Sequence, residues 1–126
     1  MEIENKKLIL DDKSNFNLKK IHIGKYNKDE CLIKIVNSSI CSSDMNRVFN
    51  KGAYYYPIVL GHEFSGRVYN ISKRNSDLYN LKVGDLVGVF PLIPCFKCTN
   101  CKKQYFNYCK NYLYYGSRND GGFSTF

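Results

Sequence analysis

The sequence predicts a mainly β chain that carries one short helix and a cysteine-clasped lobe. Three observations lead there. The run "CLIKIVNSS" (31–39) sets Leu32, Lys34 and Val36 against Ile33, Ile35 and Asn37, the two-residue period of a strand, with β-branched enrichment to match. "LKVGDLVGVF" (81–90) places a Gly-Asp turn signal ahead of a valine-rich run. Helical spacing of apolar side chains is convincing in only one stretch, "CSSDMNRVF", where Met45, Val48 and Phe49 fall at i, i+3 and i+4.

Taken in chain order, "KLIL" (7–10) and "LKKIHI" (18–23) read as early strands, followed by the alternating run at 31–39. At the head of the helix, Ser42, Ser43 and Asp44 offer N-cap chemistry. "EFSGRVYNI" (63–71) is a further strand, with Gly66 marking a bulge or a close approach of backbone. "SKRNSDLYN" (72–80) reads as a polar surface turn, and "DGGFSTF" as a turn followed by a strand start.

A length of 126 residues suits one domain with one modest core. The N-terminal "MEIENKKLIL" has acids where a secretory leader is basic, and its apolar run is only "LIL". No stretch approaches the roughly 20 apolar residues of a membrane span. The expectation is a cytoplasmic protein with no membrane partner. Nineteen Lys+Arg against eleven Asp+Glu, a formal charge of +8, invites a nucleic-acid reading. The lysines are spread along the chain, however, and part of the excess has a local use.

That use lies at residues 95–109. Cys95, Cys98, Cys101 and Cys109 have the spacing C-x2-C-x2-C-x7-C. The six cysteines are an even number, so a disulfide framework must be weighed, but without a secretory signal clustered thiols favour metal. Two-residue gaps let neighbouring thiolates converge on one ion, and the longer gap lets the chain return to close a tetrahedron, the geometry zinc prefers. Four thiolates around Zn²⁺ leave a net charge of −2, against which Lys97, Lys102, Lys103 and Lys110 are well placed. A ferredoxin cluster begins with the same spacing but continues x3-C-P, whereas here the gap is seven and Lys110 follows. A zinc ribbon would present two separated cysteine pairs. A closed four-thiolate site does no chemistry; it staples a lobe.

Chemistry must therefore come from "ICSSD" and "LGHEFSG". Cys41, His62 and Glu63 are all competent zinc ligands, and a site with three protein ligands keeps one position open. Cysteine is also among the most buried residue types, so Cys41 as core, His62 as a structural histidine and Glu63 as a surface charge stand beside the metal reading. Ser43 and Asp44 have helix capping as their alternative to proton transfer and to orienting His62.

"ICSSD", "GHEFSGRV", "VGDLVGVF" and the cysteine lobe, in this order, resemble the zinc-dependent medium-chain alcohol and polyol dehydrogenases. "NKGAYYYPIVLGHEFSG", "PLIPCFKC" and "YGSRNDGGF" are similar to the sorbitol-dehydrogenase-like subgroup that includes the galactitol-phosphate enzymes. The resemblance covers most of the chain beyond about residue 30. It implies a GroES-like β-barrel catalytic domain spanning 1–126, incomplete in itself, with a structural-zinc lobe at about 91–115. It further implies two zincs per full-length subunit. Cys41, His62 and Glu63 (a ligand or its immediate neighbour) would serve the catalytic ion, and Cys95, Cys98, Cys101 and Cys109 the structural one. Ser43 matches the family's proton-relay hydroxyl and Asp44 the carboxylate behind the zinc histidine. The implied reaction oxidises a secondary alcohol of a polyol or polyol phosphate, with galactitol 1-phosphate the nearest analogy, and passes hydride to NAD. The implied full-length form is a homodimer or homotetramer that binds no nucleic acid.

The sequence departs from the family in four respects. No G-x-G-x-x-G occurs, so the dinucleotide domain and a further site glutamate are expected beyond residue 126. Ser72 and Asn75 stand where the family has a glycine and a small apolar residue. "FSTF" replaces an Ala-Glu-Tyr strand ending, and Ser42 a glycine. Among other residues, Cys31 reads as a buried, inert thiol and His22 as a packed or surface histidine. Two of Tyr54, Tyr55 and Tyr56 read as packing, and Arg47 and Arg118 as candidates for a sugar phosphate. The competing function is a non-enzymatic zinc module that binds nucleic acid or protein through a basic surface.

Overall fold

Strand β1 (Ile3–Asp12) turns back into β2 (Asn15–Ile23) as an antiparallel hairpin pairing Ile3 with Ile23 and Leu10 with Phe16. Ser14 takes the left-handed conformation that the tight reversal needs, at φ 62°. The computed structural model describes residues 3–24, 26, 27 and 29–126. The two early strands expected from sequence are present and longer than predicted. β2 lies at a sheet edge, and all of it but Ile23 is exposed.

β3 (Leu32–Ser39) leads into α1 (Ser42–Phe49), then β4 (Ile58–Val59), β5 (Glu63–Asn70), α2 (Lys73–Tyr79) and β6 (Leu86–Val89). β4 joins the hairpin in the order β2-β1-β4, while β3, β5 and β6 form a second antiparallel sheet with β5 central. Gly66 is the close-approach point that the sequence suggested. A Cβ there would fall 2.6 Å from Ile33 Cγ2 and closer still to the Lys34 carbonyl oxygen, and the β3–β5 register shifts between Ile35 and Asn37 beside it.

The last residues tie the two sheets together. Leu8 N–H donates to Phe123 O and Thr125 N–H to Lys6 O, while on the other side Ile35 N–H donates to Thr125 O, each at 2.9 Å. "DGGFSTF" thus runs between β1 and β3 as the expected strand-like segment. Buried Asn5 clasps its end: Oδ1 accepts from Thr125 N–H and Phe126 N–H, and Nδ2 donates to Phe126 O, all at 3.1 Å. The core is Leu10, Val48, Ile58 and Leu60, with Ala53, Tyr56 and Phe123 packed against it. Its last member in the chain, Leu60, stands two residues before His62.

Three expectations need correction. Residues 72–80 are not a surface turn but α2, capped by Ser72 Oγ accepting from Asn75 N–H at 3.2 Å and stopped by Asn80 in the left-handed region. The N-cap of α1 is Cys41, one residue before the three candidates, and Asp44 closes a capping box by accepting from Cys41 N–H at 3.0 Å. Of the helical triplet only Val48 is buried; Met45 and Phe49 are exposed. The reading of 81–90 holds: Lys82 to Asp85 form the turn, in which Asp85 Oδ2 accepts from Lys82 N–H, and the valine-rich run after it is β6.

Candidate active site

The cysteine lobe is built from β7 (Leu92–Ile93), α3 (Thr99–Lys102), a 3-10 turn (Phe106–Tyr108) and β8 (Leu113–Tyr114), with β7 and β8 paired at its base. Cys95, Cys98, Cys101 and Cys109 offer sulfurs that all lie within 4.8 Å of one another, and all four are free thiols. The disulfide alternative therefore has no bond to support it. Four sulfurs at ~2.3 Å from one ion stand roughly 3.8 Å apart, and Cys95 Sγ lies 4.0 Å from Cys101 Sγ.

Backbone donors prepare this set for anionic sulfur. Cys95 N–H donates to Cys109 Sγ at 3.2 Å, and Cys98 N–H to Cys95 Sγ at 3.4 Å. Backbone N–H groups of Lys110 and Cys101 bring the Cys98 thiol down to about 6, whereas burial and its sulfur neighbours push Cys101 up to about 12. Without a cation the cluster cannot ionise fully at neutral pH, since each thiolate opposes the next. The donor set and spacing thus fit a tetrahedral divalent ion that offsets this repulsion. Phe96 accepts a left-handed φ of 56° to make the turn. Lys97, Lys102, Lys103 and Lys110 are exposed around it.

The second constellation also converges. Cys41, at the N-cap of α1, meets His62 and Glu63, at the start of β5, with one ligand atom from each within 4.8 Å of the others. His62 is buried and Glu63 exposed. Behind His62, its Nδ1 stands 3.4 Å from Asp44 Oδ1. Both atoms are fully buried, and neither makes a hydrogen bond of ordinary geometry. Asp44 therefore acts on the ring as a close charge, favouring Nδ1–H and leaving the Nε2 lone pair facing the cluster. Nε2 lies 4.0 Å from Glu63 Oε1 and 3.5 Å from Ser43 Oγ. The donor set, a thiol, an imidazole and a carboxylate, suits zinc with one position left open. A cleft of about 550 Å³ lined by His62, Glu63, Phe90, Pro91 and Tyr114 gives access to it.

Three features of this site escaped the sequence. Arg47 Nη1 donates to Ser43 Oγ at 3.1 Å and lies 3.7 Å from Asp44 Oδ1, linking a residue read only as a phosphate candidate to the cluster. Tyr114 packs its ring 5.9 Å from that of His62. Gly61, at φ +92°, is covered by Gly116 and Gly121, and Gly122 N–H donates to Gly61 O at 2.8 Å. The glycines of "YGSRNDGGF" were visible in the sequence, but nothing local says that they stack on the residue before His62.

The remaining candidates are elsewhere. Cys31 is only half-buried, with burial raising its thiol pKa, and His22 is exposed on β2. Of the three tyrosines only Tyr56 packs on the core, accepting from Ala53 N–H through its hydroxyl; Tyr54 and Tyr55 are exposed. Arg118 lies over the rings of Tyr54 and Tyr112, at 5.0 and 4.5 Å.

The family described as "Alcohol dehydrogenase GroES-like domain" matches residues 27–126. The chain belongs to that family. This GroES-like dehydrogenase domain is 46% identical over 99 residues to galactitol 1-phosphate 5-dehydrogenase of Escherichia coli K12, which covers 79% of the chain and 28% of the relative. The crystal structure of galactitol-1-phosphate dehydrogenase from Escherichia coli superposes with a TM-score of 0.83 at 40% identity, over 95% of this chain and 34% of that one. A zinc-binding dehydrogenase from Sinorhizobium meliloti bound to NADP gives 0.82 at 27% identity, over 98% and 35%. The chain therefore spans about 28% of the length of the curated relative. Among the described residues, no helix is long and apolar enough to cross a membrane.

Proposed function

We propose that residues 1–126 are one catalytic domain, with its structural-zinc lobe at about 91–115, of a zinc- and NAD-dependent dehydrogenase. The proposed substrate is a secondary alcohol of a polyol or polyol phosphate, galactitol 1-phosphate being the analogue named by the relatives. One observation carries the reading: Cys41, His62 and Glu63, distant in sequence, bring three zinc-competent atoms within 4.8 Å beside an open cleft. A module that only binds nucleic acid or protein has no use for such an open set.

Cys41, His62 and Glu63 would hold the catalytic ion, and Cys95, Cys98, Cys101 and Cys109 the structural one. Bound at the first site, zinc supplies Lewis-acid chemistry that lowers the pKa of an alcohol hydroxyl. Ser43 Oγ, beside His62 Nε2, would begin the route by which that proton leaves, accepting it as its own hydroxyl proton passes on to solvent. Arg47 holds Ser43 in place, and Asp44 orients His62. The hydride acceptor would be NAD, held mainly outside residues 1–126. The full-length form would be a cytoplasmic homodimer or homotetramer.

Metal counting tests the assignment. The protein should take up two zincs per chain, and His62→Ala should leave one, still held when the protein is exposed to a weak chelator. A parent that binds a single zinc, unaffected by His62→Ala, would sink the proposal.

A further inference from the structure

We infer that the cleft beside Ser43 is a subsite for a phosphate monoester carried by the substrate alcohol, with Arg47 and Lys51 as its cations. This rests on the function proposed above and specifies its substrate. The cleft, about 310 Å³, is lined by Ser43, Asn46, Arg47, Lys51, Gly52 and Tyr54, together with Ala53. Its lining offers two cations, a carboxamide and two hydroxyls, and no carboxylate. That is the donor-rich, acceptor-poor chemistry a phosphate needs.

Ser43 belongs to both sites. Its Oγ lies 3.5 Å from His62 Nε2 on one side and accepts from Arg47 Nη1 at 3.1 Å on the other. A molecule that reaches the Cys41–His62–Glu63 cluster past Ser43 would place its far end at Arg47 and Lys51. Arg47 is fixed before any ligand arrives, with its side chain only 20% exposed and Asp44 Oδ1 at 3.7 Å. Such preorganisation removes part of the ordering cost of binding. Asp44 largely neutralises Arg47, so the uncompensated charge in the cleft is that of Lys51. Arg118, the other arginine singled out by the sequence, instead steadies Tyr54 on the wall of the cleft through ring contact.

Two sources of phosphate fit this chemistry, the monoester of a phosphorylated polyol and the diphosphate of a dinucleotide. The monoester is favoured because the cleft opens onto Ser43 and holds a phosphate with a short carbon chain rather than a whole dinucleotide.

The test titrates zinc-loaded protein with galactitol 1-phosphate, galactitol, inorganic phosphate and NAD, following amide shifts of residues 43–54 and the Kd of each. Galactitol 1-phosphate should perturb this segment and bind at least about tenfold tighter than galactitol, in line with one charge-assisted contact. Lys51→Gln should close most of that gap at unchanged zinc content, and Arg47→Lys should narrow it. Lys51 is exposed, so its variant stays informative if the Arg47 variant fails to fold. Equal affinity for the two polyols, a gap that ignores Lys51→Gln, or NAD occupying the segment while the monoester does not would each overturn the subsite. Any of these on a protein with two zincs leaves the proposed function standing. Phosphate perturbing the segment in a Lys51-dependent way on a one-zinc protein supports the anion cleft and removes the dehydrogenase reading.

Discussion

Replacing Gly121 by alanine isolates the packing that holds His62 in place. Gly121 has an ordinary φ, so alanine is permitted there by the backbone, and any penalty must come from contact. A Cβ at that position would sit 2.6 Å from Gly116 Cα and 2.7 Å from Gly116 N, and closer still to the Gly61 carbonyl oxygen. Carbon–carbon contact is comfortable at about 3.5–4.0 Å, so the overlap approaches 1 Å against backbone atoms that no rotamer change can move. Forced overpacking of this kind costs about 1–3 kcal/mol, and with so large an overlap the upper end applies. The reduced freedom of alanine in the unfolded chain offsets about 0.4–1 kcal/mol of it. The net loss is about 2 kcal/mol. With an unfolding entropy near 2.1 cal/mol/K per residue, a chain of 126 residues should then melt about 8 °C lower. Because the displaced atom belongs to Gly61, zinc affinity at the Cys41–His62–Glu63 cluster should fall as well, while the four-cysteine ion stays bound. Gly88→Ala is the control: nothing lies within 4 Å of its Cβ position, so melting should be unchanged or slightly higher. A Gly121→Ala protein melting within about 2 °C of the parent, with both zincs bound as tightly, would refute the glycine stack as the support of His62.

Asp44→Asn should weaken zinc at the Cys41–His62–Glu63 cluster by about 10- to 100-fold and leave the cysteine lobe loaded, as read by competitive chelation; equal loss at both sites would mean that the variant simply unfolds. Zinc entry into the cysteine lobe must displace the proton that Cys101 holds up to about 12, whereas Cys98, at about 6, is already mostly ionised at pH 7. Protons compete with the metal, so the apparent affinity should rise with pH above 6, and calorimetry in buffers of different ionisation enthalpy should register proton release; a buffer-independent heat would contradict this. Ser72→Ala should cost about 1 kcal/mol through loss of the α2 cap, measured as a denaturation midpoint shift, with no change in zinc content.

The cysteine lobe was legible because its information is local. Four thiols within fifteen residues constrain one another whatever the rest of the chain does. The strands β3 and β5 were legible for a similar reason, since alternation is written into each run. α2 was not, because "KRNSDLY" has no apolar period and is held by its ends. Ser72 and Asn75, which looked like departures from family turn geometry, are what make it a helix: one caps it, and the other is buried and donates from Nδ2 to Asp29 O at 3.0 Å. A cap is a weak signal in sequence, because the same residues also make turns.

The contacts around His62 were legible only in part: Asp44 behind the ring and Ser43 beside it were expected, whereas Arg47, Tyr114 and the glycine stack were not. The missed contacts are made by residues whose local reading was sufficient without them. Asp44 already had a use as a helix-capping residue, and the structure shows both roles: Oδ2 closes the capping box while Oδ1 faces His62. Ser43 is likewise shared between Arg47 and His62. Where one side chain satisfies a local requirement and a tertiary one together, the local pattern alone cannot choose between the two readings, and both stood open for Ser43 and Asp44. The glycines at 116, 121 and 122, the last two read from sequence as a turn, pack against Gly61 and Phe64 around the start of β5. A turn reading accounts for glycines locally whether or not another backbone stacks on them, so their close approach to the residue before His62 could only be seen in three dimensions.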